Sequence, residues 1–379
     1  MTHEMRIPPS LPPYGEGTLA DLASSVLASL GVAGEPNPLG LPPTRSVCVL
    51  IVDGLGWELL RDHPAAAPFM SELAYSGRAL SAGFPATTVT SLSSLGTGLP
   101  PGQHGMLGYQ VAVPGEGRLL NGLRWDSKVD PVAWQPRSTI YQRAVAAGLA
   151  ASHVAAAKFR DSGLTRAVMR GADYRAADSL GALAGQAAAA IRESEPALVT
   201  VYHGDLDTTG HAHGPASDAW RYQLAHVDKL VEQLAGALPS ATALYVTADH
   251  GMVDVGLEDR IDVDALPELR DGVTLLGGEP RARHIYARPG AAGDVLTAWR
   301  EVIGARGWVV SRDDAIKEGW FGPVQPGMAE RIGDVIAAPA GSWALVAPRA
   351  EPLESALVGM HGSLTPSEQL VPLLALRTG

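Results

Sequence analysis

The sequence predicts an α/β protein with a mostly parallel sheet sandwiched between helices, and three observations carry that expectation. Short β-branched and apolar runs alternate with longer Ala-rich stretches of helical periodicity, as in a chain of βαβ units. Three of the runs are near-continuously apolar rather than alternating, the pattern of strands buried on both faces. Each of the three leads into a cluster of Asp, His or Gly, and ligand sites in open α/β sheets lie beyond the carboxyl ends of the strands.

In chain order, residues 19–30 form the first helix candidate and residues 46–52 the first buried strand, which ends at Asp53. Further helices are expected over 139–147, 178–193, 216–238 and 292–303, several opening with or preceded by Ser, Thr, Asp or Pro suited to a first turn. Strands at 197–202 and 243–247 run into Asp205-Leu206-Asp207 and Asp249-His250. From 262 to 345 the texture changes to shorter strands, such as 284–287 and 307–310, separated by Gly and Pro. This stretch reads as an inserted α+β subdomain. The segment 105–137, rich in Gly, Pro and Trp, reads as a long loop or hairpin over the site.

The 379 residues leave room for two domains or one large one. With 46% hydrophobic and 18% charged residues the chain is far from the composition of disordered proteins. A formal net charge of −11 repels polyanions, so a stable, sequence-independent grip on nucleic acid is not expected. The one cysteine, Cys48, excludes an internal disulfide and a cysteine-only zinc module, and its place inside a strand makes it a core residue. Residues 1–13 carry prolines and charges where a signal peptide needs an apolar core, and no apolar stretch approaches the roughly 18 residues of a membrane span. The expectation is a cytoplasmic protein without membrane attachment, with Met1 as its native start. The sequence sets no oligomeric state.

Asp53, Asp207, His211, Asp249, His250 and His361 all stand in such clusters. Singly, each also reads as a turn or cap. Together, three Asp and three His suit Zn²⁺, with Mn²⁺ or Fe²⁺ as poorer matches, and complement two ions with three ligands apiece.

A further element is Gly83-Phe84-Pro85-Ala86-Thr87-Thr88, followed by Thr97-Gly98-Leu99-Pro100 and His104-Gly105. With Val52-Asp53-Gly54, Tyr202 five residues before Asp207, Gly210-His211, Gly214-Pro215, Asp249-His250-Gly251-Met252 and His361-Gly362, the ordered set resembles the nucleotide pyrophosphatase/phosphodiesterase family of the alkaline phosphatase superfamily. The resemblance extends from about residue 46 to 376 and implies one alkaline-phosphatase-like catalytic domain over 1–379. It places Thr88 at the nucleophile, with Thr87 beside it as a neighbour. It implies Asp207, His211 and His361 around a first metal and Asp53, Asp249 and His250, with the Thr88 oxygen, around a second, leaving Asp205 as a flanking residue.

The implied activity is a two-zinc phosphohydrolase that cleaves a phosphodiester or pyrophosphate bond through a phospho-threonine intermediate, on a nucleotide or small phosphorylated metabolite. A cation can hold a threonine oxygen as an alkoxide at neutral pH. Two divalent cations against three aspartates leave one net positive charge, which falls to zero when Thr88 ionises. That balance suits a diester monoanion, whereas a monoester dianion is better served by an added Arg, and none stands beside Thr88. A phosphomonoesterase or phosphomutase of the same superfamily is the alternative enzyme reading, and a metal-stabilised scaffold the non-enzymatic one. The Cys-centred nucleophile motif of sulfatases is missing.

Two departures from the family pattern bear on substrate. Val89-Thr90-Ser91 replaces the usual Phe-Pro-Asn after the nucleophile, and Tyr109 stands where the family tends to place a phosphate-binding Asn. Tyr109, Asn121, Arg124 and Trp125 in the expected cover segment, and Lys158 further on, are the candidate substrate contacts, each with loop packing as the alternative. Arg281 is a weaker one. His104 reads as structural in a Pro-rich turn, and His203 and His213 as exposed or supporting groups.

Overall fold

The computed structural model describes residues 8–378; the first seven residues of the 1–13 segment lie outside the described residues. A seven-stranded sheet runs, in spatial order, Arg78–Ser81, Leu370–Arg377, Thr242–Thr247, Ser46–Val52, Ala197–His203, Ala150–Ala155 and Asp173–Ala176. The last five are mutually parallel, and Leu370–Arg377 joins them antiparallel to Thr242–Thr247. The mostly parallel α/β sheet read from the sequence is therefore what the chain forms. Every residue of Ser46–Val52 is buried, which explains a strand with no polar face.

Register sets the site. Ile51 is level with Tyr202 on one side and Thr247 on the other, so Asp53 and Asp249 leave the same sheet edge two residues later. The helices fall close to the expected ranges, at Leu19–Ser29, Ile140–Ala146, Leu180–Glu193, Asp218–Ala237 and Ala292–Ile303. Several carry the expected caps: Ser179 accepts from Ala182 N and Ser217 from Trp220 N.

Helix Thr88–Thr97 is buried along its whole length although six of its ten residues are Ser or Thr. Two of its hydroxyls turn back onto the helix, Ser93 donating to Val89 O at 2.6 Å and Thr97 to Ser93 O at 2.7 Å. Ser94 meets His104 Nε2 at 3.1 Å, and His104 Nδ1 accepts from Met106 N. Gly96 is required because a Cβ there would lie 2.4 Å from Val168 O.

Within 105–137 the chain forms a hairpin, Gln110–Val113 against Arg118–Asn121, and a short helix, Pro131–Trp134. A second, antiparallel sheet has the order Val273–Glu279, Ala282–Ala287, Val335–Pro339, Gly307–Ser311, packed on helix Ala292–Ile303 around its own cluster of Ile285, Val295, Trp299 and Val335. The tip of its first hairpin is tied to the main body by Arg281, whose Nε and Nη2 donate to the two oxygens of Glu368 at 3.0 and 2.6 Å, all of it buried.

Candidate active site

Asp53 N donates to His203 O at 3.0 Å, extending the strand pairing by one residue past Val52. Gly54 then turns with φ +75° and its amide donates to Asp249 Oδ1 at 3.1 Å. A Cβ on Gly54 would meet Asp207 Cα and Cβ at 3.0 Å; the glycine lets the two strand-end segments approach. Asp207 and His211 lie on one face of helix Asp205–His213 at i, i+4, and His361 follows the strand Gly359–Met360. Thr88 is the first residue of its helix, after Thr87 as N-cap.

The seven residues singled out around the two implied metals come together. His211 Nε2 lies 3.2 Å from Asp207 Oδ2, His361 Nε2 3.9 Å from Asp207 Oδ1, His250 Nε2 3.3 Å from Asp53 Oδ1 and 3.5 Å from Asp249 Oδ2. Thr88 Oγ1 lies 3.3 Å from His250 Nε2. The His250 and His361 rings stack with centroids 3.6 Å apart. Asp207, His211 and His361 each offer an atom within 4.8 Å of the others. Asp53, Asp207 and His250 do the same, so Asp207 stands between the two groups while Asp249 flanks His250.

All three rings are held in one tautomer. His211 Nδ1 donates to Gly359 O at 2.7 Å, His250 Nδ1 to Gly251 O at 2.9 Å and His361 Nδ1 to Ala86 O at 2.9 Å. Since a carbonyl can only accept, each Nδ1 carries a proton and Nε2 is the ring atom turned toward the carboxylates, as in imidazoles that ligate metals.

Oδ1 of Asp53, Oδ1 of Asp207 and Oδ2 of Asp249 are buried with no hydrogen-bond partner. Burial and the neighbouring Asp249 and Asp207 hold the Asp53 carboxyl well above the usual range, and burial raises Asp249 as well. For Asp207 burial is outweighed by His211, His361 and His250, which hold it low; burial pulls His211 down, but Asp207 takes it up to about 9. Three crowded carboxylates with orphaned oxygens, facing three oriented imidazole nitrogens, form a donor set that fits divalent cations.

A cavity of about 670 Å³ opens from Asp53, Thr88 and Asp207. Much of its wall is apolar, including Leu92, Phe159, Leu164, Met169 and Leu183. Lys158 lines it and lies over the Phe159 ring at 4.8 Å.

The cover segment contributes Leu123 to the cavity and packs on helix Thr88–Thr97, since a Cβ on Gly122 would meet the Val89 side chain at 2.7 Å. The other expected contacts of that segment do not line the cavity. Tyr109 donates to Glu354 at 3.0 Å, Asn121 Oδ1 accepts from the Leu123 and Arg124 amides, Arg124 is exposed, and Trp125 donates to Val129 O and packs on Gly163. Asp205 and His213 are exposed, and His203 pairs with Gln223 at the cavity wall. Arg281 is committed to Glu368.

Two residues without an assigned role belong to the site. Tyr202 donates a hydrogen bond to Asp53 Oδ2, and its position five residues before Asp207 is the feature of the sequence that points to it. Glu279 accepts from Thr87 Oγ1 at 3.1 Å and lies 3.7 Å from His361 Nδ1. No spacing in the sequence points to it, because it arrives from another sheet.

Oriented imidazoles, orphaned carboxylates and a helix-start hydroxyl, gathered beyond the carboxyl ends of a parallel sheet, define the class of metal-dependent phosphoester hydrolases. The family model for type I phosphodiesterase / nucleotide pyrophosphatase matches residues 47–364, and the chain belongs to that family. Ectonucleotide pyrophosphatase/phosphodiesterase family member 7 of mouse is 37% identical over 68 residues, and that of human 38% identical over 68. These matches cover 17% of this chain and only 16% and 15% of those proteins' lengths.

Among solved structures, murine ectonucleotide pyrophosphatase/phosphodiesterase 5, in an inactive threonine-to-alanine form in complex with AMP, superposes with a TM-score of 0.70 at 19% identity, covering 87% of each chain. Phosphonoacetate hydrolase from Sinorhizobium meliloti 1021, in complex with phosphonoformate, gives 0.67 at 19% identity, covering 89% of this chain and 91% of that one. At this identity the likenesses establish the fold. No helix among the described residues is long and apolar enough to cross a membrane.

Proposed function

We propose that this hydrolase is a two-zinc phosphodiesterase with Thr88 as nucleophile, cleaving a phosphodiester or pyrophosphate bond of a nucleotide or small phosphorylated metabolite. The observation that carries the proposal is the Thr88 hydroxyl facing the imidazole–carboxylate cluster across 3.3 Å. Asp207, His211 and His361 would hold one cation, and Asp53, Asp249 and His250 the other, with Asp207 close to both. Two bound cations would supply a lowered pKa at the nucleophile and charge stabilisation at the leaving oxygen.

Thr88 Oγ1 forms the bond to phosphorus as the bond to the leaving oxygen breaks, and water then releases the phosphoryl group and restores the hydroxyl. Asp53 is held in place by Tyr202, and the three rings by their carbonyl acceptors, so the ligands keep their orientation through both displacements. The second arm of a diester fits the apolar cavity, whose charged lining outside the metal cluster is Lys158, Asp178 and Asp205.

We also infer a single catalytic domain over 1–379, with 262–345 as an insertion, and a cytoplasmic setting that cell fractionation checks. The decisive assay compares a bis-aryl phosphate diester with the matching aryl monoester, zinc-loaded and chelator-treated, with Thr88→Ala as the blank. A diester preference in kcat/KM, lost in the variant and on chelation, is expected. A monoester preference sinks the diesterase reading in favour of a phosphomonoesterase.

A further inference from the structure

Helix Thr88–Thr97 begins with a threonine at its N-cap in the extended backbone conformation that capping uses, yet Thr87 makes no side-chain cap hydrogen bond. An N-cap threonine ordinarily turns its oxygen onto the amide two or three residues on. Here the hydroxyl is drawn away, donating to Glu279 Oε2 at 3.1 Å. Glu279 closes the strand Val273–Glu279 of the second sheet, and two residues later Arg281 pins the same hairpin to Glu368. The acceptor is thus delivered from outside the parallel sheet and held there by a buried ion pair. Glu279 is itself 8% exposed, its Oε1 is buried without a partner, and its carboxylate lies against His361.

We propose that Glu279 is a positioning residue for phosphoryl transfer: by holding the Thr87 hydroxyl it keeps the first-turn amides of the nucleophile helix uncapped. Unpartnered amides at a helix start bind phosphoryl oxygens, and Thr88 is the first residue of that turn. A Thr87 released from Glu279 would swing its oxygen onto those amides and compete with the substrate. The inference rests on Thr88 being the nucleophile.

The test uses the zinc-loaded full chain and two readouts, kcat and KM on a bis-aryl diester and the affinity for inorganic phosphate by calorimetry. Glu279→Ala is expected to lower kcat/KM and weaken phosphate binding by about tenfold or more, the size of one hydrogen bond to a charged group, with metal content unchanged. Glu279→Gln, which still accepts from Thr87, should recover most of both. The discriminating variant is the double substitution Glu279→Ala with Thr87→Val: valine cannot cap, so phosphate affinity should rise again to within about threefold of the Thr87→Val single variant.

A double variant no better than Glu279→Ala, or a Glu279→Ala effect explained by lost zinc, overturns the inference. If Glu279→Ala does not fold, failure of Glu279→Gln to bind phosphate within about threefold of the parent does the same. Full activity in Thr88→Ala would instead remove the nucleophile reading on which it stands.

Discussion

Removing the Tyr202 hydroxyl tests one half of the proposed metal centre. Tyr202 donates to Asp53 Oδ2, which leaves Oδ1 as the buried, unpartnered oxygen facing His250. Tyr202→Phe deletes one hydrogen bond to a charged group, worth about 1.5–3 kcal/mol, and frees Asp53 to rotate. That energy corresponds to roughly a 10- to 100-fold loss of cation affinity, in line with losses when the partner of a metal ligand is removed. The other group, Asp207, His211 and His361, is oriented by Gly359 O and Ala86 O and keeps its partners. A competitive chelator titration with zinc should therefore become biphasic, one ion leaving at 10- to 100-fold lower chelator and the other where it leaves the parent enzyme. Activity should follow the weaker ion. Equal weakening of both ions, or a shift under about twofold in either, would refute the assignment of Tyr202 to Asp53 alone.

Thr88→Ala should lower kcat/KM on an activated diester by about a thousandfold or more while leaving two zinc ions bound within experimental error of the parent, as metal analysis would read. Arg281→Met breaks a fully buried bidentate pair with Glu368 and should cost about 3–5 kcal/mol in urea unfolding, because it strands a buried carboxylate. The histidines His153 and His284 are each pushed down to about 4 by burial, below the ordinary 6.5, so the unfolded chain binds protons there that the folded chain refuses. Stability is then complete above pH 6.5 and falls as pH drops toward 4. His153→Gln should remove about 2 kcal/mol of the loss between pH 7 and pH 5; an unchanged pH dependence of the urea midpoint would count against a buried neutral His153.

The local chemistry was legible in the sequence because parallel strands ending at one sheet edge put their next residues in one place. Asp53 and Asp249 follow runs whose lack of a polar face already marked them as central, whereas the helix Asp205–His213 that puts Asp207 and His211 on one face is not among the helices the sequence predicts. The neighbouring elements were less so. Strand Leu370–Arg377 is inserted antiparallel between Thr242–Thr247 and the edge strand Arg78–Ser81, and no crossover helix announces it. The cover segment follows the same logic: Tyr109 and Asn121 are polar groups in a segment following Thr88, but which partner each one meets, Glu354 as acceptor or the Leu123 and Arg124 amides as donors, depends on chain distant in sequence or on a local turn that spacing does not reveal.

The sequence by itself determined the α/β class, the strand-end cluster and the family, since these follow from periodicity and from motifs short enough to be read in place. Only the tertiary structure decided that Asp207 lies between the two ligand groups, that Tyr202 holds Asp53 and that Glu279 holds Thr87. Those pairs are separated by 149 and 192 residues, and the Glu279–Thr87 pair joins the second sheet to the start of helix Thr88–Thr97. A contact of that kind is fixed by how independently formed layers dock, a balance of buried surface and polar pairing over the whole molecule that no local spacing encodes.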